Sequence, residues 1–85
     1  MTLTKKERGK RKFITVVTGL ENYPALKLKE VASLLGKRFG AGASVTKSPE
    51  GKDQIEVQGD LTAELPEVLV EKCGISERAI RVRED

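Results

Sequence analysis

The spacing of apolar residues along the chain alternates between the period of a strand and the period of a helix. Phe13–Thr18 is rich in β-branched residues, which pack well on a pleated sheet, and predicts a strand. Gln54–Gln58 alternates between polar and apolar residues, so it predicts a strand with Ile55 and Val57 on its buried face. Between them, apolar residues recur at i, i+3, i+4, i+7 and i+11, which predicts a helix over about 27–39. These residues are Leu28, Val31, Ala32, Leu35 and Phe39.

Weaker signals complete the set of predicted elements. They are a strand end at residues 1–4, a strand at Ala43–Lys47, a turn at Ser48–Lys52, a helix over about 62–73 and a strand at Ala79–Arg83. Pro66 is expected in the first turn of the second helix, because a proline further along would lose a backbone hydrogen bond. Gly74 is expected just after the end of that helix, where a left-handed residue is common. In the last strand, Ile80 and Val82 alternate with Arg81 and Arg83.

The order of these elements is β-β-α-β-β-α-β, which predicts one domain over residues 1–85. Helices and strands that each have one apolar face fit an α+β fold, a two-layer sandwich. We therefore expect two helices packed on one face of a mostly antiparallel sheet, with the other face open to water.

Positive charge is concentrated near the start of the chain. The net charge is +3, but residues 5–12 contain six Lys or Arg residues and only one acidic residue. The other 77 residues contain 10 basic and 12 acidic residues, so they are slightly acidic. Because strand-like segments flank residues 5–12 and Gly9 lies at their centre, we expect an exposed hairpin loop there. Such a loop is suited to a polyanion.

Several classes of chemistry lack the residues they need. The chain has no histidine, the commonest general base and metal ligand, and a single cysteine, Cys73. No phosphate-loop or dinucleotide-binding motif is present. We therefore expect a protein that is not an enzyme and that holds neither a metal nor another cofactor. The absence of a long apolar run and the lone cysteine favour a cytosolic protein without a membrane span.

The basic segment is interpreted as an RNA-backbone contact, because Lys and Arg residues on a loop can reach several phosphates and release counterions. Base stacking is poorly supported, because Phe13, Tyr23 and Phe39 are the only aromatic residues. Two alternatives remain at this point: a solvated basic tail, and a protein-interaction module that uses the open face of the sheet. The basic residues of the first helix are a second candidate contact, although an ordinary solvated helix face would look the same. They are Lys27, Lys29, Lys37 and Arg38.

Four short motifs occur in an order and spacing that resemble one known family. They are Lys10–Thr15, Gly19-Leu20, Gly42–Thr46 and Ile55–Asp60. The chain is similar to the eukaryotic translation initiation factor one (SUI-type) family, and in particular to the C-terminal domain of its density-regulated branch. The resemblance covers nearly the whole chain and is weakest in residues 1–4 and after Cys73.

The resemblance implies binding to the small ribosomal subunit near the P site. It implies that the loop between the first two strands and the face of the first helix contact ribosomal RNA (rRNA). The corresponding residues of this chain are Lys5, Lys6, Arg8, Lys10, Arg11, Lys12, Lys27, Lys29, Lys37 and Arg38. It also implies that the turn between the third and fourth strands lies toward P-site tRNA. That turn is Lys47, Ser48, Pro49, Glu50, Gly51 and Lys52.

In the density-regulated branch, the resemblance further implies reinitiation and release of deacylated tRNA after termination, together with the malignant T-cell-amplified sequence protein. That partner is held by an N-terminal, metal-containing region to which nothing in residues 1–85 corresponds. The chain is then either the C-terminal part of a longer protein or a shorter relative, such as a free-standing factor for start-codon selection. Lys27 also departs from the family, which often has an acidic residue before the first helix, where it would cap the helix.

Overall fold

The computed structural model describes residues 1–84 and confirms the predicted α+β fold and element order. Its strands and helices are β1 (Thr2–Glu7), β2 (Phe13–Thr18), α1 (Leu28–Phe39), β3 (Ala43–Lys47), β4 (Asp53–Gln58), α2 (Leu65–Cys73) and β5 (Arg81–Glu84). Two short 3-10 turns precede α1 and β5, at Leu20–Asn22 and Glu77–Ala79. The two helices cover one face of a single five-stranded sheet.

The strands lie in the order β3-β4-β2-β1-β5 across the sheet. All neighbours are antiparallel except β1 and β5, which are parallel. The parallel pair arises because the chain leaves the sheet after β4, crosses through α2 and returns beside β1, as parallel neighbours require. The sheet is therefore mostly antiparallel, as predicted.

The first strand is longer than the sequence suggested, and the predicted loop over residues 5–12 is wrong in its first three residues. Lys5 pairs with Thr15 and Glu7 pairs with Phe13, so β1 continues to Glu7. These charged residues adopt the strand conformation because ladder hydrogen bonds to β2 satisfy their backbone groups, even though Lys and Glu have low intrinsic strand propensity. The hairpin loop is confined to residues 8–12.

The last strand begins two residues later than predicted. Residues 77–79 form a 3-10 turn, and β5 starts at Arg81. Ile80 packs against the core, whereas Val82 lies on the same face as the buried Leu3 but is 51% exposed. Val82 pairs with the buried Leu3, but β5 is an edge strand with a neighbour on one side only, which leaves Val82 in contact with water.

The hydrophobic core lies between the sheet and the two helices. Its members include Leu3, Val17, Leu20, Val31, Ala32, Leu35, Ile55, Val57, Leu65, Val68, Leu69 and Ile75. Both predicted apolar stripes thus face the sheet, and Phe39 packs at the margin of the core, half-buried. Burial of a large aliphatic side chain contributes roughly 1.5–3 kcal/mol, so this shared core is the main source of stability.

The ends of the helices follow simple backbone rules. Pro66 lies in the first turn of α2, as predicted. Gly74 has a left-handed φ of 68°, and the amide of Ile75 donates to the carbonyl of Leu69 at 3.2 Å while its side chain is buried. This is a Schellman-type end, with its hydrophobic contact. Lys27 occupies the N-cap of α1 and makes no side-chain capping hydrogen bond there.

A buried hydroxyl fixes the segment between β4 and α2 against β2. Thr15 is fully buried, and its Oγ1 donates to the carbonyl of Gly59 at 2.8 Å. The same oxygen accepts a hydrogen bond from the amide of Leu61 at 3.0 Å. One hydroxyl therefore satisfies two backbone groups that have left the sheet ladder.

Thr15→Val should destabilise the fold by about 1–3 kcal/mol, because the shape is kept while a buried donor and a buried acceptor lose their partner. Urea unfolding followed by circular dichroism measures the change. Thr18→Val is the matched control, since Thr18 is half-buried and the hydrogen bond that its hydroxyl donates to the Thr2 carbonyl is long at 3.4 Å. Equal free energies of unfolding for the two variants would contradict the role assigned to Thr15.

Candidate nucleic-acid interface

The tip of the β1–β2 hairpin, Arg8–Lys12, is a tight and fully exposed turn. The amide of Arg8 donates to the carbonyl of Lys12 at 2.6 Å and closes it. Gly9 and Arg11 have left-handed φ values of 75° and 62°. Glycine accepts this conformation without strain, whereas arginine has a steric penalty there. We call these five residues the basic tip.

Four of the five residues of the basic tip are positively charged, and none of them is in an ion pair with a side chain of residues 1–83. They are Arg8, Lys10, Arg11 and Lys12. Because the loop is short and closed at its base, the four charges project from one place at the end of the sheet. This concentrates a positive potential that can attract an anion.

Lys5 differs from the residues of the basic tip, although sequence reasoning grouped them together. Its side chain is only 25% exposed, and its Nζ lies 3.3 Å from Oδ2 of Asp60. The same Nζ lies over the ring of Phe13, 4.6 Å from the ring centre. Lys5 therefore fixes the base of the hairpin to the turn after β4, and part of its charge is already compensated. Lys6, in contrast, is exposed.

Asp60 is the functional candidate that sequence reasoning missed. Its Oδ1 accepts a 2.9 Å hydrogen bond from the hydroxyl of Thr62, and this bond, followed by the contact with Lys5, lowers the pKa of the carboxyl. No local pattern could have revealed the role, because the ion pair joins residues from β1 and from the turn after β4. Only the register of the sheet brings them together.

The C-terminal end of α1 lies at the same end of the sheet as the basic tip. The amide of Gln58 donates to the carbonyl of Gly42, just beyond α1, and the amide of Gly59 donates to the carbonyl of Phe13, beside the tip; both distances are 2.8 Å. Lys37 and Arg38 are therefore on the basic-tip side of the molecule, and both are exposed.

Lys27, the N-cap residue of α1, and Lys29, in its first turn, lie at the opposite end. Leu26 and Leu28 line a cavity together with Gly51 and Asp53, which belong to the distant β3–β4 turn. A 12-residue helix is about 18 Å long. The four candidate residues of α1 thus form two pairs at the two ends of the helix.

The β3–β4 turn, Lys47–Lys52, lies at the end of the sheet far from the basic tip. Its backbone closes through the amide of Ser48 and the carbonyl of Lys52, 2.8 Å apart. Both of its lysines are in ion pairs, Lys47 with Asp53 at 2.8 Å and Lys52 with Glu21 at 3.5 Å. The basic tip and this turn are separated by the length of a strand, about 20 Å.

Carboxylates at this end of the sheet are held ionised by local contacts. The pKa of Glu21 is lowered, mainly by a backbone hydrogen bond and less strongly by Lys52. The pKa of Glu50 is lowered by a backbone hydrogen bond and by the hydroxyl of Ser48. The β3–β4 turn is therefore a polar surface of balanced charge, unlike the basic tip.

The face of the sheet that the helices leave open carries no exposed apolar patch within residues 1–83. Ile14 and Val16 lie on this face but are only 5% and 2% exposed. The two exposed large hydrophobic residues, Val70 and Val82, belong to different elements. The alternative of a protein-interaction module on the open face therefore lacks the apolar patch that would favour it.

The described residues also offer little for other chemistry. No group of three or more potential metal ligands occurs in the part of the chain that the structure describes. Cys73 is half-buried, and burial raises the pKa of its thiol, which disfavours the reactive thiolate. None of the helices within residues 1–84 is long and apolar enough to cross a bilayer.

Comparison with known proteins gives matches over nearly the whole chain. Residues 1–76 match the family "Translation initiation factor SUI1". Translation machinery-associated protein 22 of Chaetomium globosum is 51% identical over 86 residues, which covers 100% of this chain and 45% of that protein. The protein of the same name from Neosartorya fischeri is 51% identical over 81 residues and is covered to 41%. The chain therefore spans less than half the length of these relatives.

A solved structure has the same fold. The C-terminal domain of human eIF2D superposes with a TM-score of 0.81 at 31% sequence identity. The match covers 93% of this chain and 40% of that chain. At this identity and coverage, the likeness extends to the arrangement of all the main elements.

Asp60→Asn should lower the free energy of unfolding near neutral pH and change it less in acid. The pKa of Asp60 in the folded protein is below its ordinary value of 3.8, so the ionised carboxylate stabilises the fold above that value. This stabilisation is lost as the pH falls through the folded pKa. Urea unfolding at pH 7 and at about pH 2.5 compares the two states.

Asp53→Asn serves as the control, since it removes a carboxylate from the exposed ion pair with Lys47 at the other end of the sheet. If wild type and Asp60→Asn differ by the same amount at both pH values, the ionised carboxylate is not the source of the stabilisation.

Proposed function

The chain belongs to the translation initiation factor SUI1 family, and from this premise we propose that it is a non-catalytic domain that binds rRNA of the small ribosomal subunit near the P site. The relatives named translation machinery-associated protein 22 are of the density-regulated protein family, so the resemblance drawn from the sequence is confirmed. The basic tip is the observation that carries the proposal. The family acts in translation, and the basic tip is a cluster of cations without ion pairs within residues 1–83. Both observations favour RNA as the ligand.

The basic tip suits phosphate binding because its charges are exposed, unpaired and held close together. Each phosphate that a Lys or Arg neutralises releases counterions, so affinity rises with the number of contacts and falls with salt. The closed turn at Arg8 and Lys12 orders the backbone in advance, which reduces the entropy lost on binding. Phosphate contacts position a domain without recognising the base sequence. This is sufficient for a factor that binds one site defined by the shape of a single RNA.

The aromatic residues support backbone binding over stacking. Phe13 is half-buried beneath the Nζ of Lys5, and Phe39 and Tyr23 are half-buried against the core. A stacking platform needs an exposed ring to which a base has access. The ligand therefore fits structured RNA held by its phosphates better than a splayed single strand.

The first helix supplies a second contact in this proposal. Lys37 and Arg38 extend the positive surface of the basic tip at one end of the molecule, and Lys27 and Lys29 provide charge at the other. With about 18 Å between its ends, the helix can follow an RNA backbone past several phosphates. Lys5 takes part indirectly, by fixing the hairpin base through Asp60.

The β3–β4 turn, Lys47–Lys52, is proposed to lie toward the P-site tRNA. Its lysines are paired with Asp53 and Glu21, so the turn carries little free charge. Such a turn is suited to a steric or weakly polar contact with tRNA. The main electrostatic contact with RNA is made by the basic tip. The 20 Å that separate the two let one domain contact two ligands at once.

The wider role of the protein is proposed from its relatives. We propose a cytoplasmic protein that acts in non-canonical initiation and reinitiation and in the release of tRNA after termination. In the longer relatives, the malignant T-cell-amplified sequence protein would be the partner, through a region outside these 85 residues.

Replacing Lys10 and Lys12 by Gln should weaken binding to purified small ribosomal subunits by about tenfold or more, because up to two phosphate contacts are lost. The slope of log affinity against log salt should become shallower by up to about 0.7–0.9 for each lost contact. Fluorescence anisotropy of a labelled domain, titrated at several KCl concentrations, measures both quantities.

The matched control is Lys72→Gln with Arg78→Gln, which removes the same charge from exposed residues that the proposal does not assign to RNA. Because Lys72 lines a groove together with Lys27, Arg78→Gln alone is measured beside it. If both double variants bind equally, the basic tip is not the site. If the wild type does not bind small subunits, the proposed function itself is wrong.

Lys29→Glu with Lys37→Glu should weaken binding by a similar factor, because these residues lie two turns apart on one exposed face of α1 and reversed charge repels phosphate. Circular dichroism should show an intact fold, since both side chains are exposed. Unchanged affinity, with Lys72→Glu and Arg78→Glu as the charge-matched control, would mean that the helix face is only solvated surface.

A further inference from the structure

A second positive surface lies on the open face of the sheet, away from both helices. Arg83 pairs with Thr4, and Arg81 pairs with Thr2, in the parallel β1–β5 ladder. The intervening Val82 pairs with Leu3, which is buried in the core between sheet and helices. Since neighbouring side chains along a strand alternate between faces, Arg81 and Arg83 point to the open face.

Lys6 continues this surface toward the basic tip. It is exposed and pairs with Ile14, which is absent from the helix-side core although it is buried. Lys6 therefore lies on the same face as Arg83, one step further along β1. The three cations Lys6, Arg83 and Arg81 form a line down the β1–β5 edge of the sheet, and we call this line the edge strip.

Within the described side chains, compensating charge reaches the edge strip only weakly: the positive charge of Lys6 is the last of the causes that lower the pKa of Glu50. None of its three residues is in an ion pair with a side chain of residues 1–83. The nearest acidic residue in its cross-strand row is Glu56, which pairs with Val16, which in turn pairs with Thr4. Glu56 is thus three strands from Arg83, or about 14 Å at the usual strand spacing. A row of exposed cations that makes no ion pair with residues 1–83 is suited to an external anion.

We propose that the edge strip binds a second stretch of RNA backbone, separate from the one that α1 contacts. The inference rests on the proposed function and extends it to Arg81 and Arg83, which the resemblance does not include. The spacing supports a polyphosphate ligand, because residues two apart on a strand lie about 6.6 Å from one another and can reach successive anionic groups. Thr2 and Thr4 lie beside the arginines, and their hydroxyl groups can donate hydrogen bonds to phosphate oxygens.

The position of the edge strip determines how the domain meets its RNA. The strip lies on the open face of the sheet, and α1 lies on the other face, with the basic tip at the end between them. A flat RNA surface could contact only one of these faces. Contact with both requires that the basic tip enter a cleft whose two walls are RNA.

Charged residues on an edge strand also protect a sheet from pairing with another chain. This protective role needs only charge on β5 and predicts no RNA contact. Binding experiments separate the two roles, because a residue that only protects the edge does not alter affinity or its dependence on salt.

The experiment compares Arg81→Gln with Arg83→Gln against Lys72→Gln with Arg78→Gln, using the labelled domain and purified small ribosomal subunits at several KCl concentrations. The edge-strip variant should bind about tenfold more weakly and reduce the salt slope by between about 1 and 2, whereas the control should stay within about twofold of wild type. A third variant, Arg81→Lys with Arg83→Lys, should bind within about threefold of wild type, because each Lys can still neutralise a phosphate.

Two outcomes overturn the inference while leaving the proposed function intact. In the first, the edge-strip variant binds like the control while Lys10→Gln with Lys12→Gln still loses affinity. In the second, the Lys variant is as weak as the Gln variant, which would make the loss structural. Failure of wild type to bind at all would overturn both proposals.

A photo-crosslinking residue in place of Thr4, beside Arg83, identifies the ligand class. Labelled rRNA in the crosslinked product, above the level given by the same residue in place of Glu67 on α2, supports the inference. A product that contains only ribosomal protein, or no rRNA above the Glu67 level, contradicts it.

Discussion

Backbone pairing of β1 on both sides is the constraint on which the rest of the structure depends. β1 lies between β2 and β5, and it continues through Lys5, Lys6 and Glu7 because each of these residues has a ladder partner on β2. Without this pairing, a run of like charges would spread out in solution. With it, the repulsion is confined to five residues at the tip, and the core residue Leu3 is held in the same strand as the exposed Lys6. The fold thereby converts a basic segment into a surface of defined shape.

Charge is distributed unevenly between the remaining elements, in a way that complements the basic tip. The outer face of α2 exposes Glu64, Glu67 and Glu71 on the helix side of the sheet. Near a polyanion, an acidic helix is repelled while the basic tip is attracted, so the molecule is oriented before contact. The modest net charge of +3 conceals this polarity.

The regular parts of the fold could be predicted from the sequence, because they follow from residue spacing. The stripe of α1, the alternation in β4 and the proline and glycine at the ends of α2 each depend on neighbouring residues only, and these predictions are confirmed. The extent of β1, the exposure of Val82 and the contact between Lys5 and Asp60 depend on which strands are neighbours. That information is not local, so the sequence alone predicts Lys5 as part of the exposed loop, whereas it belongs to β1. For the same reason, the sequence does not show that the basic residues of α1 lie in two pairs at opposite ends of the molecule.

The left-handed backbone at Arg11, with its φ of 62°, has a consequence for how the sequence can vary. Glycine would fit that conformation better, since a side chain there is disfavoured by roughly 1–2 kcal/mol. A substitution that relaxes the backbone at this position would also remove a guanidinium from the basic tip. Selection for a more stable fold and selection for charge therefore act in opposite directions at this residue. Strain of this kind concentrates where a protein meets its ligand, and the thermodynamically best sequence for this hairpin is consequently not the sequence best suited to grip a polyanion.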